Sequence, residues 1–80
     1  MFTGIKMPKL SDTSDDYKIL RMYKGVGGQA VQGEVFMDVE TDKATMEVAF
    51  YTTGVITEIN VKEGDTVRYN SLLGVINTPD

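Results

Sequence analysis

The 80-residue chain has no cysteine and no histidine, and these two gaps remove much of the chemistry that a domain of this size could carry out. Without cysteine, no disulfide can brace the core and no protein thiol can serve as a nucleophile or redox group. Without histidine, the commonest general base and the commonest metal ligand are both missing. Apolar runs are short as well: Gly4, Lys6 and Pro8 interrupt the opening segment, so nothing there reaches the length of a membrane span or a signal-peptide core. Positive charge is sparse, with eight basic against twelve acidic residues and a net charge of −4. That balance argues against a nucleic-acid backbone or an anionic membrane as partner. Redox or acyl chemistry would have to arrive on an attached cofactor.

What is present is the composition of a soluble globular unit, 41% hydrophobic and 25% charged. Residues 1–80 are expected to form one monomeric, intracellular domain with a thin core and a radius of gyration of roughly 12 Å. Near the middle, Val35, Met37 and Val39 alternate with Phe36, Asp38 and Glu40, and Ala44, Met46, Val48 and Phe50 alternate with Thr45, Glu47 and Ala49. Both runs have the period of two that strands require. Paired as a hairpin, they leave Thr41, Asp42, Lys43 and Ala44 as the connection, with Lys43 at the tip. Asp-Lys is a poor match to the primed two-residue turns.

The run from Val39 to Val48, with Asp42-Lys43-Ala44 at its centre, resembles the lipoylation motif of lipoyl domains in the dihydrolipoyl acyltransferase (E2) of 2-oxo acid dehydrogenase complexes. The similarity extends from Met7-Pro8-Lys9-Leu10-Ser11-Asp12-Thr13 through Gly54-Val55-Ile56 and Val61 to Val67, ending near Ile76. The resemblance implies lipoic acid on an amide at Lys43, with Glu40, Asp42, Ala44 and Gly54 helping the lipoate-attaching enzyme to recognise the domain. It implies that the loop Ser11, Asp12, Thr13, Ser14, Asp15 and Asp16 contributes to partner recognition. Tyr17 stands where the family usually has glycine. The partners implied are a thiamin-dependent dehydrogenase (E1), the acyltransferase core of E2 and dihydrolipoyl dehydrogenase (E3). The location implied is the bacterial cytoplasm or the mitochondrial matrix. The opening heptapeptide resembles the pyruvate dehydrogenase E2 somewhat more than its relatives.

Read in order, residues 5–10 alternate apolar and basic around Pro8, which points to an edge strand or a strand end. Ser11 to Asp16 reads as an exposed loop whose aspartates are solvated rather than metal-binding. Lys18 to Lys24 alternates as a strand, and Gly25-Val26-Gly27-Gly28 reads as a turn, since it fits neither nucleotide fingerprint. The second half echoes the first. Gly28-Gln29-Ala30-Val31 falls on Gly64-Asp65-Thr66-Val67, and Val35 to Val39 falls on Leu72 to Ile76. This alignment needs one extra residue in the second half, and it sets Asn70 on Gly33. Two similar β-units with no helical period imply an all-β fold of two small sheets packed face to face. Lipoyl domains have such a fold, a flattened barrel or sandwich of two four-stranded antiparallel sheets with pseudo-twofold symmetry.

An exposed lysine is most often only a solvated charge; here its place at a tip between matched strands makes it a candidate attachment point. A biotinyl carrier domain is the main rival, but that family has methionine on both sides of its lysine. Catalysis by the domain itself is not expected, because no acid–base or nucleophile set can be assembled.

Overall fold

Period-two alternation produces eight strands and no helix in the computed structural model, which describes residues 1–79. They are β1 (Phe2–Lys6), β2 (Asp16–Met22), β3 (Gln29–Ala30), β4 (Val35–Glu40), β5 (Thr45–Ala49), β6 (Gly54–Ile59), β7 (Thr66–Arg68) and β8 (Leu72–Asn77). Two antiparallel sheets result, with strand orders β1-β8-β6-β3 and β5-β4-β2-β7. They remain two separate sheets, so the molecule is a flattened sandwich and not a closed barrel. Its radius of gyration is 12.0 Å.

Adding four to each strand number converts one sheet order into the other, and the backbone hydrogen bonds repeat with it. Gly27 N–H donates to Ile56 O while Gly64 N–H donates to Ile19 O, and Ile19 N–H donates to Asp65 O while Ile56 N–H donates to Gly28 O. The left-handed residues pair in the same way: Gly27 (φ 88°) with Gly64 (φ 94°), and Gly33 (φ 89°) with Asn70 (φ 71°). Across β2 to β4 the mate therefore lies a uniform 37 residues on. The alignment of Gly28 on Gly64 with one extra residue is corrected: Gly27 is the true mate, because backbone handedness and not residue type marks the turn. Asn70 does fall on Gly33.

The first strand breaks that spacing. Met7 N–H donates to Ser71 O as Phe50 N–H donates to Glu34 O, which makes Phe50 the mate of Met7, 43 residues on. Between its first two strands the first half thus carries six more residues than the second, and these lie in the Met7–Asp15 loop.

Bulges account for the other departures from simple alternation. In β4 a register shift between Val35 and Met37 turns Phe36 and Met37 both inward, and in β6 a shift between Ile56 and Glu58 moves the inward face toward Ile59. Ala44 and Met46 are exposed, Met46 although it pairs with the buried Val39 on the inward face, and the buried part of β5 starts at Val48. The edge strand expected at residues 5–10 is at the sheet edge but runs Phe2–Lys6, and Pro8, with no N–H to donate, falls beyond it. β2 starts at Asp16, inside the segment read as loop. The core gathers Ile5, Met7, Tyr17, Ile19, Phe36, Met37, Val39, Val48, Phe50, Ile56, Leu73 and Ile76. Phe36 and Phe50 stack within it at 4.7 Å between ring centroids.

Candidate functional site

β4 runs toward the lysine end, and β5 returns from it with Glu40 paired to Thr45. Thr41 closes the hairpin. Its N–H and its hydroxyl both donate to Ala44 O at 2.9 Å, and Thr41 Oγ1 accepts from Lys43 N–H at 3.2 Å and Ala44 N–H at 3.1 Å. Asp42 and Lys43 are left as the two tip residues. Neither has positive φ, so the turn is not of the primed type, as the Asp-Lys pair foretells. A threonine side chain holds this tip closed, where a primed turn would need glycine.

Lys43 is exposed, and its ammonium takes part in none of the ion pairs found among the described residues. Its chemistry is that of a free amine on a flexible stem above a fixed backbone. Such a group fits a long arm joined by an amide, because acylation discards only the hydration of an exposed charge. Among the described residues no group of three or more potential metal ligands is gathered anywhere.

The Met7–Asp15 loop lies beside this tip, with an open groove of about 260 Å³ between Lys9–Asp12 on one side and Thr41, Lys43, Ala44 and Met46 on the other. The loop is more ordered than its polar sequence suggests. Tyr17 is fully buried, and its hydroxyl accepts from Leu10 N–H at 3.0 Å and Ser11 N–H at 3.2 Å and donates to Ser14 O at 3.0 Å. The exposed loop expected from Ser11 to Asp16 is thus corrected in part: Ser11 is buried, Asp16 belongs to β2, and Asp12 and Thr13 are exposed. Asp15 sits 3.5 Å from Lys9 and 3.9 Å from Arg68, solvent-screened contacts that contribute little to stability. Lys9 also lies over the Tyr69 ring, 5.4 Å from its centroid.

Asp42 joins loop to tip. Ser11 Oγ donates to its Oδ1 at 2.6 Å, and Thr13 Oγ1 donates to its Oδ2. These hydroxyls, Ser11 first and Thr13 next, hold the Asp42 carboxyl below the ordinary aspartate range.

The fold thus brings Glu40, Asp42, Lys43, Ala44 and the Ser11–Asp16 loop to one end, and leaves Gly54 at the other. Gly54 is buried at the start of β6, opposite Ala30, where a Cβ would come within 2.4 Å of Asn77 O. Its glycine is required by strand packing beside the chain termini. Arg68 and Tyr69 were not singled out from sequence as parts of this end; Tyr17 was marked only as standing where the family usually has glycine, and it stands 37 residues before Gly54.

Residues 3–76 match the Biotin_lipoyl family, described as "Biotin-requiring enzyme". The chain is 37% identical over 76 residues to the dihydrolipoyllysine-residue succinyltransferase component of the 2-oxoglutarate dehydrogenase complex of Bartonella vinsonii subsp. berkhoffii, covering 95% of the chain and 18% of that protein. It is 39% identical over 74 residues to the acetyltransferase component of the pyruvate dehydrogenase complex of Rickettsia typhi, covering 91% of the chain and 18% of that protein. The chain therefore spans under a fifth of the length of these relatives. Among solved structures, the lipoyl domain of the 2-oxoglutarate dehydrogenase complex from Azotobacter vinelandii is similar at TM-score 0.76 and 36% identity, over 96% of this chain and 98% of that one.

Proposed function

The chain belongs to the Biotin_lipoyl family, and on that premise we propose that it is the lipoyl carrier domain of the E2 of a 2-oxo acid dehydrogenase complex, with lipoic acid on Lys43. The observation that carries this reading is the exposed amine of Lys43 on a two-residue tip that Thr41 holds shut. The attaching enzyme, reading the backbone of the tip with Glu40, Asp42 and Ala44 beside it, presents the Lys43 amine to a lipoyl group activated at its carboxyl; the amine displaces the activating group and loses a proton as the amide forms. Gly54 contributes through the fold. Bound there, the dithiolane supplies acyl and electron carriage, and the domain supplies orientation and a shaped surface.

The arm then serves the thiamin-dependent dehydrogenase, the acyltransferase core and dihydrolipoyl dehydrogenase in turn, and tethering makes each transfer nearly intramolecular. Relatives of both the succinyl- and the acetyltransferase type support an E2 of one of these two complexes. The succinyltransferase relative and the 2-oxoglutarate lipoyl domain weigh toward 2-oxoglutarate, and the opening heptapeptide toward pyruvate.

Intact mass after coexpression with a lipoate ligase, and separately with a biotin ligase, tests the reading. One lipoyl adduct is expected from the first and none from the second, with the Lys43→Arg variant folded and unmodified. Lipoyl attachment to the Lys43→Arg variant, or biotin in place of lipoate, would overturn the site or the cofactor respectively.

A further inference from the structure

Lys43 stands on the lip of the groove between loop and hairpin, which has a volume of about 260 Å³ and is lined in part by Leu10, Ala44 and Met46. An apolar lining is unexpected beside a charged amine. Leu10 is half-buried against the core. Met46 pairs with the fully buried Val39 on the inward face of the sheet, yet it is 38% exposed. The core leaves this inward-facing methionine open to the groove.

The twofold plan shows that the opening is particular to the lysine end. With the spacing of 43 residues that relates Met7 to Phe50, the mate of Met46 is Thr3, which pairs with Ile76 as Met46 pairs with Val39. A polar residue thus takes the equivalent place. The link that corresponds to the Met7–Asp15 loop is only the short stretch between β5 and β6, and its Tyr51 hydroxyl donates to Gly4 O at 2.6 Å, which holds it against β1. Six extra residues carrying Leu10, together with one methionine, give the lysine end two apolar walls that its mate lacks.

Resting on the lipoyl-Lys43 reading above, we propose that this groove is the resting seat of the domain's own arm, with Leu10 and Met46 as its walls. The unmodified ammonium stays over water, because laying a charge along apolar walls forfeits its hydration. Acylation removes that charge. What then hangs from the lip is a methylene stem, an amide, a methylene chain and a dithiolane, a largely apolar ligand already tethered beside its site. Tethering spares it most of the association entropy that a free ligand loses. The groove is close in size to the smallest clefts that hold small molecules, about 300 Å³, so it takes part of the arm and leaves the amide at the rim. Met46 is unbranched and polarisable, which lets it mould to such a guest. A seated dithiolane is withdrawn from reductants in solution, and partner enzymes draw on the fraction of arms that are out.

The test compares the domain lipoylated by coexpression with a lipoate ligase, and checked by intact mass, with the unmodified domain. In NMR spectra, lipoylation is expected to shift the methyl signals of Leu10 and Met46 and to give cross-relaxation between these methyls and the methylene protons of the arm, while the methyl of the mate Thr3 stays unmoved. Reduction of the dithiolane by a water-soluble phosphine, followed by its near-ultraviolet absorption, should run about threefold slower than for free lipoamide, the ratio for an arm seated about two-thirds of the time. Met46→Thr, which gives this end the residue of its mate, should restore the rate of free lipoamide, and Met46→Leu should keep the protection. Met46 is exposed, so both variants should fold, and the wild-type spectra decide independently of them. Lipoylation that leaves both methyls unmoved would overturn the seat and leave the carrier reading standing. So would an arm reduced at the rate of free lipoamide, or one whose protection survives Met46→Thr. Absence of a lipoyl adduct by mass would instead bring down the carrier reading, and the inference with it.

Discussion

At one end of the sandwich Thr41 and Ala44 close a hairpin around Asp42 and Lys43; at the other, Thr78 and Met1 make the same bonds with the chain open between them. A second pair of mates diverges in the same way. Gly54 and Tyr17 both precede an inward-facing isoleucine two residues on, and both sit at the start of their strands, yet one is the smallest residue and the other among the largest. At the Gly54 end a four-residue link from Phe50 brings β6 hard against Asn77. At the Tyr17 end Lys18 pairs with Glu40 just as Val55 pairs with Asn77, but six further residues form the Met7–Asp15 loop, and the hydroxyl of the buried tyrosine holds that loop. A duplicated scaffold has thus kept its twofold plan in the sheets and given it up at the end that presents Lys43. The lesson is that the functional end is recognised by where the repeat fails.

If Gly54 is glycine because of the close approach to Asn77, Gly54→Ala should be the most damaging single change. Its Cβ would meet the Asn77 carbonyl oxygen at 2.4 Å and Ile76 Cγ2 at 2.6 Å, and backbone cannot yield as a flexible side chain does. Overpacking of that kind costs about 3 kcal/mol, a fall in melting temperature of roughly 12–24 °C for a domain of this size. A melting temperature within a few degrees of wild type would show that the two ends differ in loop length alone.

Tyr17→Phe sharpens the comparison from the other side. The ring stays and the core keeps its volume, but Leu10 N–H, Ser11 N–H and Ser14 O lose their shared partner. Leaving such groups unpaired should cost about 1–3 kcal/mol, with faster amide exchange confined to residues 10–14. Uniform loss of protection across both sheets would show instead that Tyr17 braces the core rather than the loop.

The sheets and the hairpin were legible in the sequence because each rests on a local pattern. Alternation marks β2, β4 and β5, the echo of Val35–Val39 in Leu72–Ile76 marks β8, and the reversal around Asp42-Lys43 places the tip. Bulges were not legible: the inward turn of both Phe36 and Met37 depends on how β4 meets β5, a cross-strand fact with no trace in a period of two. The repeat was visible but misregistered by one residue, since glycines at 27 and 28 are alike in sequence and only one of them is left-handed. The loop was the hardest part. Ser11, Asp12 and Thr13 look like solvated polar residues, and what orders them is a buried tyrosine hydroxyl and a carboxylate 29 to 31 positions away. Side-chain partners at that separation leave no periodic mark.

The smallest effect concerns the turn that the two halves share. Gly33 and Asn70 hold the same left-handed conformation, φ 89° and 71°, and a Cβ at Gly33 would meet nothing within 4 Å, so backbone handedness is the only obstacle to a side chain there. Gly33→Ala should therefore cost about 1 kcal/mol, and Gly33→Asn distinctly less, because asparagine tolerates this conformation better than alanine does. Asn70→Gly should be close to neutral, since relief of the left-handed strain is offset by the greater freedom glycine gives the unfolded chain. Chemical denaturation with an unchanged m-value would measure all three. If Gly33→Asn proved as costly as Gly33→Ala, the mates would not be interchangeable, and the two ends would differ in their turns as well as in their loops.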